Sequence, residues 1–395
     1  MRLLIPVLLT VAIAAGAAQA QPLRRLTQPV ATFAEPFTSV SGVRELRDGR
    51  VLVSDARDRT LQVIDLRTGD AVAVGREGSG PGEFGVPTRL FAMPGDSTLM
   101  SDFQNGRYLI ILPDGKPGPT FRVPESSPAF FGSLIGVDAR GRLLLERART
   151  SAAEGPMAAS VGIADVLRFD RASQRTDTLG QLRTPRGERS GARVLPGGML
   201  QTFTNLPFAA RDVAGVTPGG DLALVRAAGY RVEWIGADGG RRTGAPAAAS
   251  NVRITQAERE AFVKSRVRPG AIIVSGGAQA AQRAAGSSGG ARAAAPTFSG
   301  DVDALFSPDM VWPDVKPPFL ADAARAADDG SVWVLRTRAH DDPTPTFDVF
   351  DREGRVTMRV AIPAGTRLVG FGKSGVYVVR SDEDDLQYLE RYAYP

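Results

Sequence analysis

The chain of 395 residues carries 48 basic against 43 acidic side chains, one histidine and no cysteine. Without cysteine there is no disulfide framework, no thiolate zinc site and no thiol nucleophile. With His340 as the sole histidine, no multi-histidine metal centre can be built. Only Lys116, Lys264, Lys316 and Lys373 among the basic residues are lysines; the rest are arginines, interleaved with acids as in Asp55-Ala56-Arg57-Asp58-Arg59. Nucleic-acid binders gather their charge on one face or helix, so no nucleic-acid partner is expected.

In chain order, residues 1–20 read as an export signal. Arg2 supplies the positive start, Leu3 to Ala15 the apolar run, and Ala18-Gln19-Ala20 the small-residue cleavage site. No later stretch reaches the roughly 18 apolar residues of a spanning helix. The mature chain is expected to begin near Gln21, to be periplasmic or secreted, and not to span a membrane.

Six later segments share one pattern, a small or polar turn followed by a β-rich apolar run that ends on a charge. They are Asp48–Asp55, Gly95–Asp102, Arg140–Arg147, Gly219–Arg226, Asp329–Arg336 and Lys373–Arg380. Each is followed by a second run: Leu61–Asp65, Tyr108–Leu112, Asp165–Asp170, Arg231–Ile235, Phe347–Phe350 and Gln387–Tyr392. Strand, turn and strand recurring about every 45 residues is the spacing of four-stranded propeller blades. The predicted fold is all-β, a single six-bladed β-propeller of four-stranded antiparallel blades over residues 21–395. The sixth copy ends after its third strand, and an unpaired blade edge invites aggregation. The segment Leu23 to Phe33 is therefore expected to supply the missing outer strand of the last blade.

Val53–Asp65 and Met100–Ile111 resemble the strand–loop–strand motif of NHL repeats. Gly75–Phe84, with Pro87 after it, resembles the connection between blades of the same repeats. The resemblance covers the first two blades; beyond them only the strand pattern persists. It implies an NHL-repeat-like, six-bladed propeller of the bacterial exported type and carries over no reaction.

The longer gaps between the third, fourth and fifth copies read as insertions, at about 184–207 and 247–315. The second opens on Thr255-x-x-Glu258, a capping box that predicts a helix over 255–266. Ser275 to Pro296 is a low-complexity run of Ala, Gly, Ser, Gln and Arg, too poor in apolar residues to offset the entropy of ordering. The insertion is either a lid over one mouth of the propeller or a tolerated surface excursion.

Aligning the six copies puts Asp55, Asp102, Arg147, Arg226, Arg336 and Arg380 at the ends of the second strands, in a ring on one face. Guanidinium forks match carboxylates, so this ring is the candidate site for a small anionic ligand. The plainer alternative pairs the arginines with acids of neighbouring blades and gives the aspartates to tight turns. No cofactor is required by the sequence. Calcium is left open through the oxygen-rich loops that hold Asp341, Asp342, Asp382 and Asp384, although these lack an ordered ligand spacing. No Gly-x-Ser-x-Gly elbow or phosphate-binding Gly-Lys loop occurs. The sequence thus reads as an exported, monomeric, non-catalytic binding scaffold, with an anionic molecule or an envelope protein as partner. The rival reading is a calcium-dependent lactonase- or esterase-like propeller, or a lyase.

Overall fold

In the computed structural model of the chain, residues 21–102, 104–151, 159–188, 190–194, 200–266 and 310–395 are described. Residues 1–20, expected to be an export signal, and the low-complexity run 275–296 lie outside the described residues. Six antiparallel blades follow one another along the chain. Blade 1 is Val40–Glu45, Val51–Asp55, Thr60–Ile64 and Ala71–Ala73; blade 2 is Pro87–Ala92, Thr98–Asp102, Arg107–Ile111 and Pro117–Phe121. Blade 3 is Ser133–Val137, Leu143–Thr150, Ser160–Phe169 and Thr176–Arg186; blade 4 is Val213–Val216, Leu222–Arg226, Arg231–Ile235 and Arg241–Thr243. Blade 5 is Ala324–Ala326, Val332–Leu335, Thr346–Phe350 and Val356–Ala361. Blade 6 has Thr366–Gly372, Gly375–Ser381 and Gln387–Tyr392, and takes its outer strand, Ala31–Thr32, from the other end of the chain. The protein is a six-bladed β-propeller.

The repeated runs are the second and third strands of each blade. They read as unbroken apolar stretches, not as alternation, because both faces of a blade are covered by its neighbours. The core is accordingly divided into six wedges, one per interface. Val225, Val232 and Trp234 of blade 4 pack on Val332, Val334 and Phe350 of blade 5. Val43, Val51 and Val53 of blade 1 pack on Tyr377, Val379 and Leu389 of blade 6, which closes the ring.

The N-terminal segment closes the last blade, but it divides its pairing between two blades. Ala31–Thr32 runs antiparallel to Gln387–Tyr392, while Leu23–Arg25 adds a parallel fifth strand to blade 5 against Arg359, Val360 and Ala361. The break falls around Pro29, which has no amide proton to give to a ladder; antiparallel bonding resumes with Val30 N to Arg391 O at 2.7 Å.

Backbone packs tightly on backbone where the outer end of blade 4 meets a turn of blade 5. A Cβ on Gly244 would lie 2.1 Å from the Gly354 carbonyl oxygen, whereas one on Gly219 would meet nothing nearer than 3.7 Å. Backbone cannot step aside as a side-chain tip can. Gly244→Ala is expected to cost about 1–3 kcal/mol or more, and Gly219→Ala well under that, in paired urea titrations; equal midpoints would show that the two blades separate freely.

Candidate functional site

The inner strands begin on the face where the second strands end: Val40 pairs with Asp55, Pro87 with Asp102 and Thr366 with Arg380. The ring positions read from the sequence therefore do share a face. Asp55 is fully buried; its Oδ2 accepts from the amides of Thr38 and Ser39, and its Oδ1 from those of Arg57 and Asp58, at 2.7–3.0 Å. Asp102, also buried, accepts from Gly85 N, Asn105 Nδ2 and Arg107 Nε. Arg107 in turn donates to the carbonyls of Ser79, Gly80 and Glu83, clamping the glycine-rich connection between blades 1 and 2. Both aspartates thus hold the chain segment that enters their own blade.

Three of the four arginines of the ring form their ion pairs within their own blades. Arg226 binds Glu233 (2.7 Å) and Asp212 (2.8 Å), Arg336 binds Asp348, and Arg380 binds Glu390 (2.8 Å). Glu233, Asp348 and Glu390 lie on third strands opposite Leu224, Val334 and Val378, two residues short of each arginine. This is the diagonal same-face contact of an antiparallel pair. In blade 3 the residue in that relation is Arg149, which grips both oxygens of Asp165 at 2.6 and 2.7 Å. Arg147 instead donates to the Pro128 carbonyl at 3.0 Å. The Arg149 guanidinium is the main cause that holds the Asp165 carboxyl below the ordinary carboxylate range.

Of the calcium candidates, Asp382 accepts from the amides of Asp384 and Leu386, and Asp342 from that of Thr344. Asp341 and Asp384 lie in the same two loops. Among the described residues no three histidine, aspartate or glutamate side chains gather where they could hold a metal ion.

A second set of charges, not singled out by the sequence, occupies the mouth of the central channel on this face. Arg89 belongs to the inner strand of blade 2, Arg325 to that of blade 5 and Arg367 to that of blade 6. Arg211 and Asp322 stand just ahead of the inner strands of blades 4 and 5, and Glu146 lies on blade 3. Arg89 Nη2 donates to Asp322 Oδ1 at 2.7 Å. Blades 2 and 5 are opposite members of the ring, so this ion pair spans the channel. Arg325 donates only to the carbonyls of Asp322 and Ala324; Arg367 donates to the Val40 carbonyl (2.8 Å) and, at 3.4 Å, to Gln387 Oε1. Among the described residues neither guanidinium has a hydrogen-bonded carboxylate.

Desolvation by the channel walls, with Arg89 and Arg367 adding repulsion, pushes Arg325 down to about 10. Desolvation lowers Arg367 as well. Both side chains nevertheless remain open to water, as expected inside a narrow, wet passage. Desolvation pushes Asp322 up, but Arg89, Arg325 and Arg211 together hold it below its ordinary value. Burial raises Glu146, to which no side chain donates among the described residues. Arg211 is tied to Glu188 at 2.5 Å.

The described base of the second insertion sits on the same face. Thr255 caps the helix Gln256–Arg266, its hydroxyl oxygen accepting from the Glu258 amide (3.4 Å). The Glu258 side chain does not return to the cap. It is buried, and bonds Lys316 Nζ at 2.5 Å and the His340 amide at 2.8 Å. Phe262 of this helix packs edge to face on Phe208 and on Trp312, which are tilted against each other. On the flank, a cleft of about 590 Å³ between blades 3 and 4 is lined by Arg183, Arg186, Arg226 and Arg231 with Asp212 and Glu233.

No protein-family model and no curated protein matches the chain. Among solved structures, virginiamycin B lyase from Staphylococcus aureus aligns over 92% of this chain and 98% of its own at 10% identity and a TM-score of 0.40. A gluconolactonase from Xanthomonas campestris covers 92% and 91% at 8% identity (TM-score 0.42), and regucalcin, a calcium-binding protein from Agrobacterium tumefaciens, 95% and 98% at 11% (TM-score 0.36). At these values the likenesses carry nothing about the chemistry of this chain, and its fold rests on its own sheets. Among the described residues no helix is long and apolar enough to cross a membrane.

Proposed function

We propose that this chain is an exported binding propeller that takes a small carboxylate- or phosphate-bearing molecule into the mouth of its channel. The observation that carries this reading is the state of Arg325 and Arg367. Two partly desolvated guanidiniums face one passage, and among the described residues no carboxylate is hydrogen-bonded to either. Guanidinium forks that no carboxylate occupies have donors to spare, and an oxyanion that accepts from two of them gains charge-assisted hydrogen bonds from both. The residues that end the second strands, Asp55, Asp102, Arg226, Arg336 and Arg380, serve in this reading as the frame that fixes the inner strands. Export is read from the signal at residues 1–20, and a periplasmic or secreted monomer is the working state. Rigid walls contributed by every blade suit recognition without demanding a reaction.

The test is calorimetric titration of the purified chain with inorganic phosphate and with malonate at low salt, in EDTA. Binding is expected for one of the two, weakened about tenfold or more in Arg325→Gln and in Arg367→Gln, since a hydrogen bond to a charged group contributes about 1.5–3 kcal/mol. Unchanged affinity in both variants would place the ligand elsewhere. If binding instead required added calcium, the calcium-dependent hydrolase reading would take its place.

A further inference from the structure

We infer that Asp322 is a built-in occupant of this site, a tethered carboxylate that an incoming anion must displace from Arg89. The inference rests on the anion-binding reading above and concerns how that site is regulated. Asp322 lies where the second insertion rejoins the propeller, two residues ahead of the blade 5 inner strand. Its backbone is in the left-handed region at φ 60°, a conformation that aspartate and asparagine tolerate better than most residues. Arg325 donates to the carbonyl of this same residue at 3.0 Å. The turn therefore aims the Asp322 side chain inward, across the axis, at Arg89 on the opposite blade.

Three features make this pair a placeholder and not a structural bolt. Its side chains are 42% and 52% exposed, so water reaches the bond, and such pairs hold weakly. Arg89 has no other hydrogen-bonded partner among the described residues, unlike Arg226 and Arg336, which spread their donors over several acceptors. The carboxylate also sits within the field of Arg211 and Arg325, the charges that would draw a free anion to the same place. Binding is then an exchange of one carboxylate for another oxyanion. The fraction of molecules with Asp322 swung away sets the apparent affinity, and the same swing unblocks the channel mouth.

Titration with phosphate and malonate distinguishes the possibilities when wild type is compared with Asp322→Asn and Glu146→Gln. Asparagine keeps the left-handed turn and removes the competing charge. Glu146→Gln removes a carboxylate near the same arginines, but one that no side chain among the described residues holds. Displacement predicts a gain on the order of tenfold in Asp322→Asn and distinctly less in Glu146→Gln. Equal gains in the two would show a general field effect and overturn the inference, as would an Asp322→Asn affinity no better than wild type; in both cases the anion site itself stands. If neither anion binds wild type or Asp322→Asn, the anion-binding reading fails and this inference with it.

Discussion

Asp348→Ala is expected to destabilise the protein by about 3–5 kcal/mol, the loss typical when one partner of a buried ion pair is removed. Asp348 is fully buried on the third strand of blade 5 and accepts from three side chains: Tyr230 Oη at 2.7 Å, Arg359 Nε at 3.0 Å and Arg336. Tyr230 comes from blade 4, so the carboxylate joins two blades as well as two strands. Desolvation, reinforced by Asp348, raises the Tyr230 phenol well above its ordinary value. Alanine would leave two guanidiniums and a hydroxyl facing an apolar wedge that contains Trp234, Phe319 and Phe350. Urea midpoints of Asp348→Ala, Arg336→Met and the double variant measure the coupling. The double variant should lose far less than the two singles added together. A loss under about 1 kcal/mol in the single would show that water reaches the cluster and solvates what is left.

The blades were legible because their second and third strands are buried on both faces, which prints the same apolar run six times. Leu52-Val53, Leu144-Leu145 and Tyr377-Val378 are the same physical position repeated. Pairing across strands was less legible. Alignment by spacing put Arg147 with Arg226, but a long strand in blade 3 carries the equivalent diagonal pair two residues on, at Arg149. Arg89, Arg325 and Arg367 of the channel mouth were missed because they sit on inner strands, which are short and weakly apolar and do not stand out among so many arginines. One signal was available. Arg89 and Arg367 stand the same number of residues ahead of Asp102 and Arg380, so carrying the alignment upstream would have placed both on one rim. Asp322 gives no such sign: what matters is its left-handed turn and the blade opposite, and neither is a property of local sequence. The Glu258 side chain was likewise assigned to a helix cap by its spacing, while Lys316 and His340, distant in sequence, claim it in the fold.

A chain beginning at Glu35 is expected to lose most of its stability and to associate. Leu26 and Phe33 are buried, and each contributes about 1.5–3 kcal/mol by burial alone. Their segment also carries the bonds that cover two sheet edges: Leu26 N to Ala361 O, Val30 N to Arg391 O and Phe33 N to Leu389 O, at 2.7–2.9 Å. Without it, the outer strand of blade 5 and the third strand of blade 6 both present unpaired groups, the template on which other chains pair. The ring depends on this more than its length suggests, because blade 6 supplies one wall of two wedges, against blade 5 and against blade 1. A peptide of residues 21–38 added to the shortened chain should recover part of the lost melting temperature and suppress association, as a donated strand does at an open sheet edge. A shortened chain that melts with the full one and remains monomeric would mean that the core wedges alone hold the ring closed.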